Sequence, residues 1–303
     1  MDITAPSLHN WVTATRPWSF PASSMPALVA FAYVFFLSRH DAVEVNWLLG
    51  VLAIIGAVIF QISGNLISDY FDYTHGVDRE DTFGSSRLLV NQVFAPRTIL
   101  WYGLSFITFG VLFGLYLTAQ TGWPLLMIGF PGFIGASFYY LFKSRALGDT
   151  LIFVIYGPLI SLGVFYVMTG ALDWRIIALS LPIAFITVNI LHANNTRDIV
   201  HDRRAHIRTS AMLMGVRASV FKYQLLLTLA YLLIAVLALA GVLHWLTLGV
   251  FLTVPLAVGN CRIMAQASKD RPENIRDLDV RTAKLQLAFS VLLSGLIFVS
   301  AWL

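Results

Sequence analysis

Apolar residues along this chain run in long unbroken blocks, without the alternation of a half-buried strand. Blocks long enough to cross a hydrocarbon layer, which takes about 20 helical residues, stand at about 17–38, 46–68, 98–118, 123–142, 148–170, 174–193, 222–241, 243–264 and 283–303. The pattern predicts an all-α, polytopic membrane protein of nine transmembrane helices, with 1–303 forming a single domain. The missing alternation argues against a β-barrel.

Composition supports this reading and charge adds orientation. The 303 residues are 58% hydrophobic and 12% charged, with a mean hydropathy of +0.76, too apolar for a soluble globule of this size. If the N-terminus is cytoplasmic, 18 of the 20 basic residues fall on inner connections and only Arg39 and Arg175 fall outside. By the positive-inside rule the N-terminus is then inside and the C-terminus outside. A multi-pass protein of the cell inner membrane, with the lipid bilayer as its surroundings, is expected. The net charge of +4 is this loop excess, and no basic stripe with interleaved aromatics marks a nucleic-acid partner. Residues 1–16 are polar and the first apolar block lacks the flanks of a cleaved signal, so the first helix is expected to be retained. The lone Cys261 can form no internal disulfide and reads as a small buried hydrophobe.

Three inner connections, 73–97, 194–221 and 265–282, are long and charged, whereas the outer ones are short. Loops of this kind often carry function. Two acidic clusters stand beside them. Asn65, Asp69 and Asp72 fall at i, i+4, i+7, and Asn194, Asp198 and Asp202 at i, i+4, i+8, so each trio shares one helix face. The clusters lie four spans apart and emerge at the same membrane surface, as though helices 1–4 and 5–8 were a weak repeat facing across a central cavity. Opposed carboxylates beside a membrane core need compensation. Magnesium would supply it, since it binds one or two carboxylates and keeps waters or phosphate oxygens as its other ligands. Gln61, Asn65, Ser68 and Asp72 form a stripe expected to line the cavity, and Asn189, His192 and Thr196 are expected to do the same on helix 6. The plainer alternative for Asn189 and His192 is interhelical hydrogen bonding, and for each acid a solvated pair with a neighbouring arginine.

The sequence resembles the UbiA superfamily of intramembrane prenyltransferases. The resemblance rests on Arg16-Pro-Trp-Ser-Phe-Pro21, Asn65-Leu-Ile-Ser-Asp69-Tyr-Phe-Asp72 with Gly76-Val-Asp78, Tyr139-Tyr-Leu-Phe-Lys143 with Arg145-Ala-Leu-Gly-Asp149, and Asn194-Asn-Thr-Arg-Asp198-Ile-Val-His-Asp202-Arg-Arg204. Within the superfamily it is similar to the branch that prenylates 1,4-dihydroxy-2-naphthoate for menaquinone synthesis. The resemblance implies a UbiA-type helical fold with catalytic inner loops at about 73–97, 143–148 and 194–221. Asp69, Asp72, Asp198 and Asp202 would hold two Mg²⁺ ions, with Mn²⁺ as a substitute, on a polyprenyl diphosphate. Asn65 and Asn194 would orient that site, and Lys143 and Tyr139 would contact the phosphates and leaving group. Arg79, Arg197, Arg203 and Arg208 are further phosphate candidates, each also readable as an ordinary topology-setting charge. Ser68 stands where Asn is usual, His206-Ile207 replaces a usual Gly-Lys, and a common Pro-rich stretch after the tyrosine is absent.

The implied chemistry is ionisation of the allylic carbon–oxygen bond as diphosphate departs, attack by an electron-rich aromatic acceptor, and loss of the ring carboxyl as carbon dioxide. Asp72 and Asp198 are candidates for the phenolic proton. Aromatics such as Phe31, Tyr33, Phe35 and Phe36 are candidates to flank the tail, with lipid or packing contacts as the plainer reading. Two rival readings remain open on sequence: a prenyltransferase for 4-hydroxybenzoate, homogentisate, haem or a glycerol phosphate, and a transporter.

Overall fold

The computed structural model describes residues 6–41, 43–80, 82 and 86–303. Among them there are nine helices long and apolar enough to span a membrane, and no strand beyond one isolated bridge between Arg145 and Arg208. A short α1 (Leu8–Ala14) precedes the first span, α2 (Pro21–His40). Then follow α3 (Trp47–Thr74), α4 (Pro96–Thr121), α5 (Pro124–Lys143), α6 (Gly148–Thr169) and α7 (Trp174–Arg197). The short α8 (Ile199–Arg204) leads to α9 (Ser210–Leu239), α10 (Trp245–Met264) and α11 (Leu278–Ser300).

Local chemistry sets the ends. Asn46, Asp173 and Thr209 cap α3, α7 and α9 by accepting a backbone N–H of the first turn, and proline opens α2, α4 and α5, where its missing N–H costs nothing. Gly170 closes α6 at φ +69°, a conformation that a side chain would strain.

Helix α7 lies innermost, with Ile176, Leu179, Ile183 and Ile186 all fully buried. Its partners α2, α6, α9 and α11 contribute Tyr33, Phe165, Tyr223 and Phe289 to one continuous core. Polar side chains here join helices rather than open a cavity. Asn189 donates to the Tyr223 carbonyl at 2.8 Å, and the Tyr223 hydroxyl pairs with Thr282 at 2.6 Å. His192 is fully buried against Asp149, and the Thr196 hydroxyl bonds the His192 carbonyl. The expectation that Asn189, His192 and Thr196 line the cavity is therefore corrected. None of the three lines the cavity; for Asn189 and His192 the interhelical reading holds, and Thr196 bonds within its own helix.

Two helices are interrupted close to the end of the bundle that carries the acidic clusters. Phe138 breaks α5 one turn before Lys143, and Gly215, at φ +76°, breaks α9 after its first turn. A π-helical turn, Ile155–Leu159, around Pro158 adds an irregularity within α6. Such turns recur where a helix must re-aim side chains.

Candidate functional site

A cavity of about 910 Å³ lies between α2 to α7. Along α3 its wall extends from Asp72, near the C-terminal end of the helix, to Ala53, roughly 28 Å at 1.5 Å per helical residue. Arg16, Gln61, Asn65, Ser68, Asp72, Tyr139, Lys143, Asn194 and Asp279 cluster at one end, and most of the remaining wall is apolar. Its aromatics are Phe60, Phe113, Phe130, Phe133, Tyr139 and Tyr156. Phe31 and Phe35 instead pack on Trp47 and Phe298, Phe36 stacks on Tyr33, and Tyr33 is fully buried. The tail-flanking role expected of that quartet is thus corrected to packing.

The stripe on α3 is as its spacing requires. Gln61 bridges the Ser19 carbonyl and the Ser23 N–H, and Asn65 donates to Ser19 Oγ and the Thr15 carbonyl, at 3.0 and 3.3 Å. Both amides therefore moor the turn after α1 to α3. That turn places Arg16, whose left-handed backbone aims its guanidinium at Asp69. Ser86 donates to the other Asp69 oxygen at 2.9 Å. Three residues on, Asp72 Oδ2 accepts from Lys143 Nζ and from Ser68 Oγ, each at 3.1 Å.

The second cluster is organised by Arg197. Its guanidinium grips both oxygens of Asp198 at 2.8 and 2.9 Å, donates to Asn194 Oδ1 at 2.6 Å, and reaches Asp279 Oδ2 and the Arg276 carbonyl at 3.0 and 2.8 Å. One residue thereby fastens the end of α7 to the start of α11. Asp202, on α8, feels the charges of Lys143, Asp198 and Asp72. The two clusters thus approach one another around Lys143, as the repeat suggested.

Three of the four motif carboxylates carry a cation of the chain itself: Arg16 on Asp69, Lys143 on Asp72 and Arg197 on Asp198. Burial, with the charges of Asp198 and Asp72 adding to it against Lys143, pushes Asp202 up to about 7. Burial followed by the charge of Asp72 pushes Asp78 up to about 6. Among the described residues no group of three or more His, Cys, Asp or Glu side chains is gathered to hold a metal unaided. Yet Asp72 Oδ1 and Asp202 Oδ2 are buried without a hydrogen-bond partner. Two free carboxylate oxygens flanking a lysine fit an ion that draws its other ligands from water and phosphate.

Of the residues singled out by sequence, the structure brings Asn65, Asp72, Tyr139, Lys143 and Asn194 to the cavity wall, with Asp202 adjacent. Asp69, Asp198 and Arg197 stand behind that wall in ion pairs. Arg203 and Arg208 are exposed, and Arg79 lies in the connection after α3 with its N–H on Thr82. None of these three reaches the wall. His206 adopts φ +56° and Ile207 is buried, so the usual Gly-Lys pair is replaced at a backbone position that glycine occupies without strain. Two charged residues of the wall were not among the sequence candidates: Asp279, and Arg16, which entered only as the first residue of the Arg16–Pro21 motif.

The sequence matches the UbiA prenyltransferase family over residues 23–289. The chain belongs to that family. It is 34% identical to UbiA prenyltransferase domain-containing protein 1 of Homo sapiens and 32% identical to that of Xenopus tropicalis, in each case over 96% of its own length and 82% and 80% of theirs. A UbiA homologue from Aeropyrum pernix K1 shares the fold at a TM-score of 0.65 and 15% identity, over 91% of this chain and 97% of that one. A UbiA homologue from Archaeoglobus fulgidus, solved with DMAPP and Mg²⁺, shares it at 0.58 and 14%, over 94% and 99%. The chain is thus a UbiA-type membrane prenyltransferase. These relatives carry the general family name and do not single out the naphthoate branch expected from the motifs.

Proposed function

We propose that this UbiA protein transfers a polyprenyl group from a prenyl diphosphate to an aromatic acceptor, 1,4-dihydroxy-2-naphthoate in menaquinone synthesis, with Mg²⁺ assistance. The observation that carries the reading is the division of the cavity. Acids, cations and amides gather at its inner end, and a long apolar wall continues from them. An amphiphile with a charged head and a hydrocarbon tail matches that division, as does the DMAPP and Mg²⁺ held by the Archaeoglobus fulgidus homologue.

Asp72 and Asp202 would hold the metal through the buried oxygens that no hydrogen bond occupies. Asp69 and Asp198, paired here with Arg16 and Arg197, would hold a second ion in place of those side chains. A metal held there would supply neutralisation of the charge that develops on the departing diphosphate. Lys143 moves from Asp72 to a phosphate oxygen as a compact point charge, and Tyr139 contacts the leaving group. Phe60, Tyr139 and Tyr156 in the wall shield the allylic carbon from water as its bond to oxygen breaks. The acceptor ring forms the new carbon–carbon bond as Asp72, at the cavity wall, takes the phenolic proton; the ring carboxylate then leaves as carbon dioxide, and the electron pair of that broken bond restores the aromatic ring as the ring oxygen recovers the proton from Asp72. The alternative base, Asp198, stands behind the cavity wall instead of at it.

Purified protein supplied with Mg²⁺, prenyl diphosphates of graded length and a panel of aromatic acceptors, read by mass spectrometry, tests the assignment. Prenylated, decarboxylated naphthoate is expected to dominate. Product only on 4-hydroxybenzoate, homogentisate or another acceptor would reassign the substrate and leave the reaction class intact.

A further inference from the structure

Asp149 opens α6 directly after the short connection from Lys143, and it is buried. It does not touch the cavity, yet it is the most heavily bonded carboxylate outside it. Oδ2 accepts from His192 Nδ1 at 2.8 Å, Lys222 Nζ at 2.6 Å and Ser210 Oγ at 2.5 Å, and Oδ1 accepts from Asn195 Nδ2 at 3.3 Å. The donors come from α7 and α9, so one side chain pins the start of α6 to two other spans.

The surroundings say what this pinning positions. The connection between Lys143 and Asp149 is folded tightly on itself: Leu147 N–H bonds the Phe142 carbonyl, Ala146 sits at φ +61°, and Arg208 N–H bonds the Ser144 carbonyl. At Gly148 a Cβ would come 3.5 Å from the Lys143 Cα and 3.4 Å from Leu191. Even an added Cβ would meet only ordinary van der Waals contact there, and what holds the backbone after Lys143 is the hydrogen-bonded turn that ends directly before Gly148 and Asp149. On the far side, Asn195 directly follows Asn194, whose side chain lines the cavity and bonds Arg197. Asp149 thus links the turn that follows Lys143 to the turn of α7 that carries Asn194 and Asn195.

We infer that Asp149, through its bonds to His192, Asn195, Ser210 and Lys222, is a positioning residue that fixes Lys143 relative to Asn194 for binding the diphosphate head. This rests on the function proposed above. A buried carboxylate with four donors suits the task because truncating it strands several polar groups at once, so the geometry has one strongly preferred arrangement.

The test is a double-mutant cycle between Asp149→Asn and Lys143→Gln, with donor KM, kcat and thermal unfolding measured for all four proteins. Asp149→Asn keeps the side-chain shape and removes the charge that holds Lys222 and His192. It is expected to raise donor KM about tenfold, and to add little once Lys143 is already Gln, because both act through one contact. Ser210→Ala, which removes a single donor, is expected to raise KM about threefold and gives a second reading should Asp149→Asn fail to fold. If either variant lowers only the unfolding midpoint or the active fraction, with donor KM unchanged, the positioning role is overturned. Additive losses in the cycle would overturn it equally. Absence of pyrophosphate release from the wild-type protein would instead sink the underlying functional reading, and this inference with it.

Discussion

The polar end of the cavity is a set of exchangeable charges, and its behaviour depends on single side chains. Lys143 is the plainest case: it bonds Asp72, senses Asp202 and faces the cavity. Lys143→Gln should raise donor KM and slow turnover by about 10²-fold, the scale of losing one positioned charge on a leaving group. Lys143→Arg should recover only part, since a planar fork does not replace a compact ammonium. Asp78 offers an independent test. Its carboxyl titrates at about 6 in the folded protein and near 4 in an unfolded chain, so the folded state binds this proton more tightly. Stability is then lost as pH rises from about 4 through 6. Asp78→Asn removes the penalty, and its unfolding midpoint in detergent should exceed the wild-type value at pH 8 and converge with it near pH 4. At this scale the acids were legible because two matched trios at equivalent helix ends rarely arise by chance. Their partners were not. Arg16 to Asp69 and Lys143 to Asp72 join residues 53 and 71 positions apart, and Asp279 sits in a charged stretch with nothing in its local spacing to mark it.

Helices were the most readable elements, because a span must be apolar over most of its length and its backbone must be satisfied internally. All nine appear where the blocks stood. The clearest differences lie at the end of the bundle that carries the acidic clusters. The α3 helix continues to Thr74 and α9 begins at Ser210 instead of about 222. Hydropathy falls there because the helices carry working polar groups: Asp69 and Asp72 on α3, Arg217 and Lys222 on α9. Thr209 caps the longer α9, a signal present in the sequence but outweighed by charge. Close helix contacts were invisible, since they depend on what faces a glycine. A Cβ at Gly157 would come within 2.5 Å of the Ala184 Cβ, which cannot swing aside. Gly157→Ala should force α6 and α7 apart and cost about 1–3 kcal/mol, read as a lower unfolding midpoint. Gly114→Ala, which meets open space, should be close to neutral.

The whole molecule places its ionisable chemistry on one face, and the division of basic residues predicts that this face is cytoplasmic. In a Cys261→Ser background, Lys269→Cys should label only from the inside and Leu172→Cys only from the outside; labelling of both from the same side would reject this topology. The same face is also where the family assignment acquires chemical content. Three motif acids hold cations of the chain, and Asp72 and Asp202 keep a free buried oxygen each. If this end of the cavity receives a metal-bound diphosphate, it should release it as pyrophosphate. The decisive measurement is Mg²⁺-dependent pyrophosphate release from purified wild type, Asp72→Asn and Asp202→Asn, with folding verified for each. Release by wild type that chelation abolishes, and a loss of at least ~10²-fold in both variants, are expected. Near-wild-type release from the two folded variants would contradict that placement of the diphosphate.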